Sequence, residues 1–227
     1  MSQLTPVPAE QRGTLWYRFV SKFTRLAFFG LMGGITIKGE ENLPVDGPVL
    51  LTPVHVSFID PPLLGSTCRR ALRFMAKEEL FKGIFGKLIR SVGAFPVKRG
   101  EGDMSAIRIA IEELKAGHTV LMFPEGSRND GETMLPILPG ISMLAKRSDA
   151  VIVPVGLSGT NKMWPRGQKL PKRARLTILY GEGFTYAEIA EGIPDREARV
   201  KFADELARRI AKATQEAGLP IKISESN

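Results

Sequence analysis

Two histidines, His55 and His118, and one cysteine, Cys68, are present among 227 residues, so a reaction that needs an imidazole base has two places to put it. No internal disulfide and no cysteine-based zinc site can be assembled, which fits a reducing, intracellular setting. His55 stands in the string TPVHVSFIDP, residues 52–61, directly after an apolar run and five residues before Asp60. A histidine there can take a proton from a hydroxyl, and a carboxylate on its other ring nitrogen fixes the tautomer and stabilises the imidazolium. The same spacing also suits an aspartate that merely caps the following helix. A second string, FPEGSR at residues 123–128, again follows an apolar run. Glu125 can accept from a hydroxyl, the turn at Gly126 and Ser127 brings backbone N–H groups near a ligand, and Arg128 can grip phosphate with two parallel bonds. A third, GAFPVKR at residues 93–99, closes on Lys98 and Arg99. Three strand ends carrying His/Asp, Lys/Arg and Glu/Arg would bind an anion beside a base.

Such residues need a scaffold, and the hydropathy pattern supplies one. Strands are expected at 35–38, 49–54, 72–75, 94–97, 119–123, 151–157 and 175–180, and helices at 61–67, 79–91, 103–115, 140–147 and 196–217. Alternation of this kind predicts an α/β fold with a mostly parallel or mixed central sheet covered by helices. TVLMF and VIVPV are apolar throughout, as central strands covered on both faces should be. The fold positions sites at strand ends, which is where the three strings fall.

Charge points to an anionic partner. The chain carries 32 Lys and Arg against 24 Asp and Glu, a net +8, and residues 61–99 hold nine basic residues against two acidic ones. Residues 162–175 add Lys162, Arg166, Lys169, Lys172, Arg173 and Arg175 with no acid. No zinc-finger spacing, zipper or aromatic-rich RNA-binding strand is visible, so lipid and phosphate rank above nucleic acid. The longest uncharged apolar run, residues 26–37, has 12 residues where a spanning helix needs about 20. Residues 14–34 read as one amphipathic helix, with Arg18, Lys22 and Arg25 at i, i+4, i+7 among Leu15, Trp16, Phe19, Phe23 and Leu26. That is the pattern of a helix lying in a membrane interface, and equally of one packed on the domain's own core. The division expected is a membrane-interface segment, 1–34, and one catalytic domain, 35–227.

Rival chemistries have less to stand on. No G-x-S-x-G elbow occurs for a serine hydrolase, since Ser127 sits between Gly126 and Arg128. Cys68 precedes two arginines with no histidine nearby in sequence and reads as structural, and His118 lies in an Ala-Gly-His turn.

The order and content of these blocks resemble the glycerolipid acyltransferases of the lysophosphatidic acid acyltransferase type. His55-x4-Asp60 is similar to that family's first block, residues 93–99 to its second, FPEGSR to its third and Val153-Pro154-Val155 to its fourth; LPILPGISMLAK, residues 135–146, resembles the stretch between the last two. Val54 stands where the family usually has Asn, and Leu138 where a basic residue is common. The resemblance implies an O-acyltransferase in which His55, oriented by Asp60, deprotonates a lysophospholipid hydroxyl as it attacks the thioester of acyl-CoA or acyl-carrier protein. It implies that Lys98, Arg99, Glu125, Gly126, Ser127 and Arg128 hold the phosphate and glycerol of the acceptor, and that Val153, Pro154 and Val155 belong to the acyl-donor region. No metal, no cofactor beyond the acyl co-substrate and no covalent intermediate are needed, and phosphatidic acid would form at the cytoplasmic face of an anionic membrane, by a peripheral or monotopic protein. Other acceptors, namely glycerol phosphate, other lysophospholipids or lyso-ornithine lipid, and a non-enzymatic basic phospholipid-binding protein are the alternatives.

Overall fold

The structure, a computed structural model, describes residues 4–97, 104–165 and 167–224. The chain enters through α1 (Leu15–Phe23), capped where Thr14 Oγ1 accepts from the Tyr17 N–H at 3.1 Å, and runs on into a π-helical stretch, Thr24–Gly30. β1 (Ile35–Lys38), β2 (Val49–Pro53), α2 (Asp60–Thr67), β3 (Leu72–Lys77), α3 (Gly83–Ser91) and β4 (Ala94–Val97) follow. Then come α4 (Met104–Lys115), β5 (Thr119–Leu121), the short β6 (Thr133–Met134), α5 (Gly140–Ser148), β7 (Val151–Ser158) and α6 (Thr160–Met163). The chain closes with β8 (Leu176–Tyr180), α7 (Tyr186–Ala190), the long α8 (Asp195–Ala217) and β9 (Lys222–Ile223).

The main sheet has seven strands in the order β1-β8-β7-β2-β5-β3-β4. β7, β2, β5, β3 and β4 are mutually parallel; β8 runs antiparallel to β7, and β1 is parallel to β8. The fold is therefore the expected α/β architecture, with one antiparallel junction near an edge. Every residue of β2 and β5 is buried, because helices cover both faces and leave no solvent side to favour polar alternation. α8 lies along β7 with Phe202, Leu206 and Ile210 fully buried, the face its periodicity predicts. Its close approach depends on Gly156, where any Cβ would overlap the Ala213 carbonyl.

The consequence for function lies in the strand order. β7, β2 and β5 are adjacent and parallel, so the chain segments leaving their C-terminal ends emerge side by side. β4 ends at Val97 on the same edge of the sheet, three strand positions from β2, or about 14 Å at the usual spacing.

The N-terminal segment divides its surface. Tyr17 and Phe29 are buried; the Tyr17 hydroxyl donates to the Gly65 carbonyl at 3.1 Å and accepts from the Leu72 N–H at 3.0 Å. Ahead of the helix, Gln11 Oε1 accepts from the buried Arg70 guanidinium at 2.6 Å and the Gln11 carbonyl accepts from the Ala71 N–H at 2.7 Å. The other face stays bare: Leu15, Trp16, Phe19, Phe23, Leu26 and Leu31 are 49–80% exposed, with Trp16, Phe19 and Phe23 stacked in a row. Arg18, Lys22 and Arg25 are exposed between them. Trp16 Nε1 donates to Ser91 Oγ at 2.9 Å, which joins this face to α3, where Ile84, Phe85 and Leu88 are also exposed beside Lys82, Lys87 and Arg90. Among the described residues no helix is long and apolar enough to cross a membrane.

Candidate active site

Beyond Pro53 the chain leaves β2 and folds the loop 55–60 around one carboxylate. Asp60, at the start of α2, is fully buried; its Oδ2 accepts from the Val56 N–H at 2.8 Å and the Ser57 N–H at 2.7 Å and lies 2.9 Å from His55 Nδ1. An acceptor that already takes two N–H bonds requires Nδ1 to carry the ring proton, so the Nε2 lone pair is left for a substrate. The His55 side chain keeps 17% exposure, and its ring stacks on Phe123 with centroids 3.9 Å apart. Spacing alone left Asp60 open as a simple helix cap, but its side chain serves the loop and the imidazole together.

β5 delivers FPEGSR to the same place because it is β2's neighbour. Gly126, at φ +65°, closes the turn with its N–H on the Phe123 carbonyl at 3.0 Å, and a Cβ there would overlap Leu138. Glu125 points inward. Its Oε1 accepts from the His55 N–H at 3.0 Å, and Oε2 accepts from Asn129 Nδ2 at 2.7 Å and the Leu135 N–H at 2.8 Å. The residue is 4% exposed, and burial pushes its carboxyl above the ordinary carboxylate range while those hydrogen bonds pull the other way. Ser127 and Arg128 stand half-buried at the rim. The Arg128 guanidinium lies over the Phe58 ring at 5.2 Å, and among the described residues it has no hydrogen bond or ion pair. Phe58 in turn leans on Trp164, 6.4 Å away, which follows α6 at the end of β7, and Ser57 Oγ donates to the Trp164 carbonyl at 2.7 Å. The third adjacent strand end thus supports the loop that carries the base.

Val153, Pro154 and Val155 are buried in the middle of β7, paired with Leu51, Thr52 and Pro53, and form the bed of the His55 strand. Glu125 is occupied by protein donors where an acceptor contact was expected. Lys98 and Arg99, like Asp103 and Arg166, lie outside the described residues. Three participants went unread in the sequence: Asn129, Phe58 and Trp164 as a site residue. Asn129 had a turn signal, the Asn-Asp-Gly string, whereas the aromatic pair carries none. Away from the site, Cys68 is pushed up to about 11 by desolvation and stays protonated at neutral pH, and His118, before β5, pairs with Glu113 at 2.7 Å.

The sequence profile of the family described as Acyltransferase matches residues 34–158, 125 of the 227, which include His55, Phe58, Asp60, Glu125, Arg128 and Asn129. A protein named 1-acyl-sn-glycerol-3-phosphate acyltransferase from Bacillus subtilis (strain 168) is 29% identical over 196 residues, 86% of this chain and 94% of that one. A lyso-ornithine lipid O-acyltransferase from Pseudomonas aeruginosa is 31% identical over 154 residues, 66% of this chain and 55% of the other. The crystal structure of the 1-acyl-sn-glycerophosphate acyltransferase PlsC from Thermotoga maritima superposes with a TM-score of 0.73 at 26% identity, over 89% of this chain and 80% of that one. With the profile spanning the strands that carry His55, Asp60 and Glu125, the chain belongs to the acyltransferase family, in its lysophosphatidic acid acyltransferase type, and is an O-acyltransferase.

Proposed function

We propose that the protein transfers a fatty acyl group from acyl-CoA or acyl-carrier protein to the free hydroxyl of 1-acylglycerol-3-phosphate, forming phosphatidic acid at the cytoplasmic face of the membrane. The observation that carries this reading is the 2.9 Å His55–Asp60 pair, with Nε2 free, at the junction of three parallel strand ends. Nε2 takes the hydroxyl proton as the hydroxyl oxygen attacks the thioester carbonyl, and the imidazolium is stabilised by Asp60. Collapse of the tetrahedral intermediate breaks the C–S bond, and the thiolate leaves with the proton that His55 holds. No group is left on the enzyme.

Arg128, whose guanidinium lies over Phe58, binds the acceptor phosphate together with Lys98 and Arg99. The Gly126–Ser127 turn offers its backbone to the glycerol. The bare aromatic face of residues 15–31, continued by α3 and ringed by Arg18, Lys22, Arg25, Lys82, Lys87 and Arg90, sits in the interface of an anionic bilayer where the lipid substrates reside. Two relatives' names support a phosphate-bearing acceptor, and the Pseudomonas relative's name keeps lyso-ornithine lipid as a second reading. One acyl-CoA offered with a panel of acceptors, read by mass spectrometry of the lipid product, decides between them. Phosphatidic acid as the main product supports the proposal, and acylated ornithine lipid without phosphatidic acid replaces it.

A further inference from the structure

The main chain of His55 sits where the sheet has just come apart. The last backbone bond between the two strands runs from the Met122 N–H to the Leu51 carbonyl, after which the chain turns away at Pro124. On the other side of β2 the Val54 N–H still donates to the Val155 carbonyl. By the two-residue alternation of a strand, the polar groups of His55 face the opposite side, where the neighbouring strand has gone. Both are nevertheless satisfied: the N–H donates to Glu125 Oε1 at 3.0 Å, and the carbonyl accepts from the Asn129 N–H at 2.8 Å. Asn129 also donates through Nδ2 to Glu125 Oε2 at 2.7 Å, and its Oδ1 accepts from the Gly131 N–H at 2.7 Å. The Leu135 N–H completes the carboxylate.

We propose that Glu125 and Asn129 are positioning residues: the Glu125 carboxylate, braced by the Asn129 side chain, and the Asn129 backbone N–H together replace the missing rung of the sheet and fix the backbone of the catalytic histidine. The proposal rests on His55 being the base, as above. It gives Glu125 a role different from an acceptor contact. A carboxyl group suits this place better than an amide, because backbone N–H donors stand at both of its oxygens, and an amide can offer an acceptor to only one of them. A base displaced by about 1 Å loses up to about a hundredfold in rate.

The test uses the full chain with Glu125→Gln and Asn129→Ala, read two ways. Steady-state kinetics should show kcat lowered by about tenfold to a hundredfold with little change in acceptor KM. The loss should be the same on lysophosphatidic acid and on monoacylglycerol, which lacks the phosphate. The second reading exploits the two histidines of the chain: the ring Cε1–H signals are two in number, and His118→Ala assigns them. The His55 signal should shift or broaden in both variants while that of His118 stays put. Should Glu125→Gln fail to fold by circular dichroism, Asn129→Ala decides alone, since it leaves both backbone bonds to the carboxylate in place. A raised acceptor KM with unchanged kcat and an unmoved His55 signal overturns the proposal and makes Glu125 an acceptor ligand. If the wild-type protein acylates no lysophospholipid, the proposed function fails, and the histidine signals still decide whether the clamp exists.

Discussion

At the ends of β2, β5 and β7, most polar groups are matched inward: Asp60 Oδ2 takes three partners and Glu125 takes three, while among the described residues the buried Asp60 Oδ1, the His55 Nε2 and the Arg128 guanidinium have no hydrogen-bond partner. The face made by residues 15–31 and α3 is the reverse, with large apolar side chains bare and cations between them. Leaving one such side chain in water forgoes about 1.5–3 kcal/mol, so a row of six has no rationale in folding alone. The first region is arranged to hold atoms still and the second to be covered by something else. The proposed chemistry and the proposed membrane docking would therefore rest on different residues, and substitutions should separate them.

The largest separation is expected at the base. His55→Ala and Asp60→Asn should lower turnover by about a hundredfold to ten-thousandfold, while the circular dichroism spectrum and vesicle binding stay those of the wild type. Near wild-type turnover in either folded variant removes His55 as the base. The complementary cut is Phe19→Ser with Phe23→Ser, which should abolish pelleting with anionic vesicles and leave turnover of detergent-dispersed substrate within about twofold. Point variants are the right tool because deleting the segment would also strip Tyr17 and Phe29 from the core. Unchanged pelleting would mean that this face is covered by something other than lipid.

Much of this was legible before any coordinates, and the failures have physical causes. The strands at Ile35–Lys38 and Ala94–Val97 fall where hydropathy puts them, because four apolar-rich residues between turn signals leave little freedom. The single helix expected over residues 14–34 instead changes from α to π geometry at Thr24 and stops at Gly30, a backbone shift that side-chain periodicity does not encode. α6 and α7 are too short to show a period, and β6 and β9 pair through two residues each. In the site, the H-x4-D spacing exposed the His55–Asp60 pair because both residues lie on one loop. The inward hydrogen bonds of Glu125 were not legible, because a carboxylate just past a strand looks the same whether it faces a groove or a neighbour's backbone, and the β2–β5 adjacency is what puts the His55 N–H beside it. Composition also left a binding-only protein open, which the family match removes in favour of an enzyme.

A smaller effect should sharpen the division of labour inside the site. Arg128→Ala should raise the acceptor KM about tenfold to a hundredfold on lysophosphatidic acid and little on monoacylglycerol, with lysine recovering only part because it lacks the planar fork. Phe58→Ala should do less, about twofold to fivefold, since it removes only the aromatic bed beneath the guanidinium. Equal losses on both acceptors would show that Arg128 holds the fold or the donor.

The finest cut uses pH. Burial raises the Glu125 carboxyl above its ordinary range, so the folded state holds that proton more tightly than the unfolded chain does. A group shifted upward contributes stability that is fully present below its unfolded value and is lost as pH rises through its folded one. Glu125→Gln cannot titrate. The stability advantage of the wild type over this variant should therefore be greatest in acid and shrink toward neutral pH, which a series of Tm measurements on the pair reads directly. Activity should move the opposite way, because a protonated carboxyl turns a donor toward Leu135 or His55 and loosens the clamp just as the fold gains. Stability and turnover that part company across this window would mark Glu125 as a charge kept for positioning at the expense of stability. Parallel Tm curves for the two proteins would mean that Glu125 titrates alike folded and unfolded, and the inward-facing carboxylate would then have to be given up.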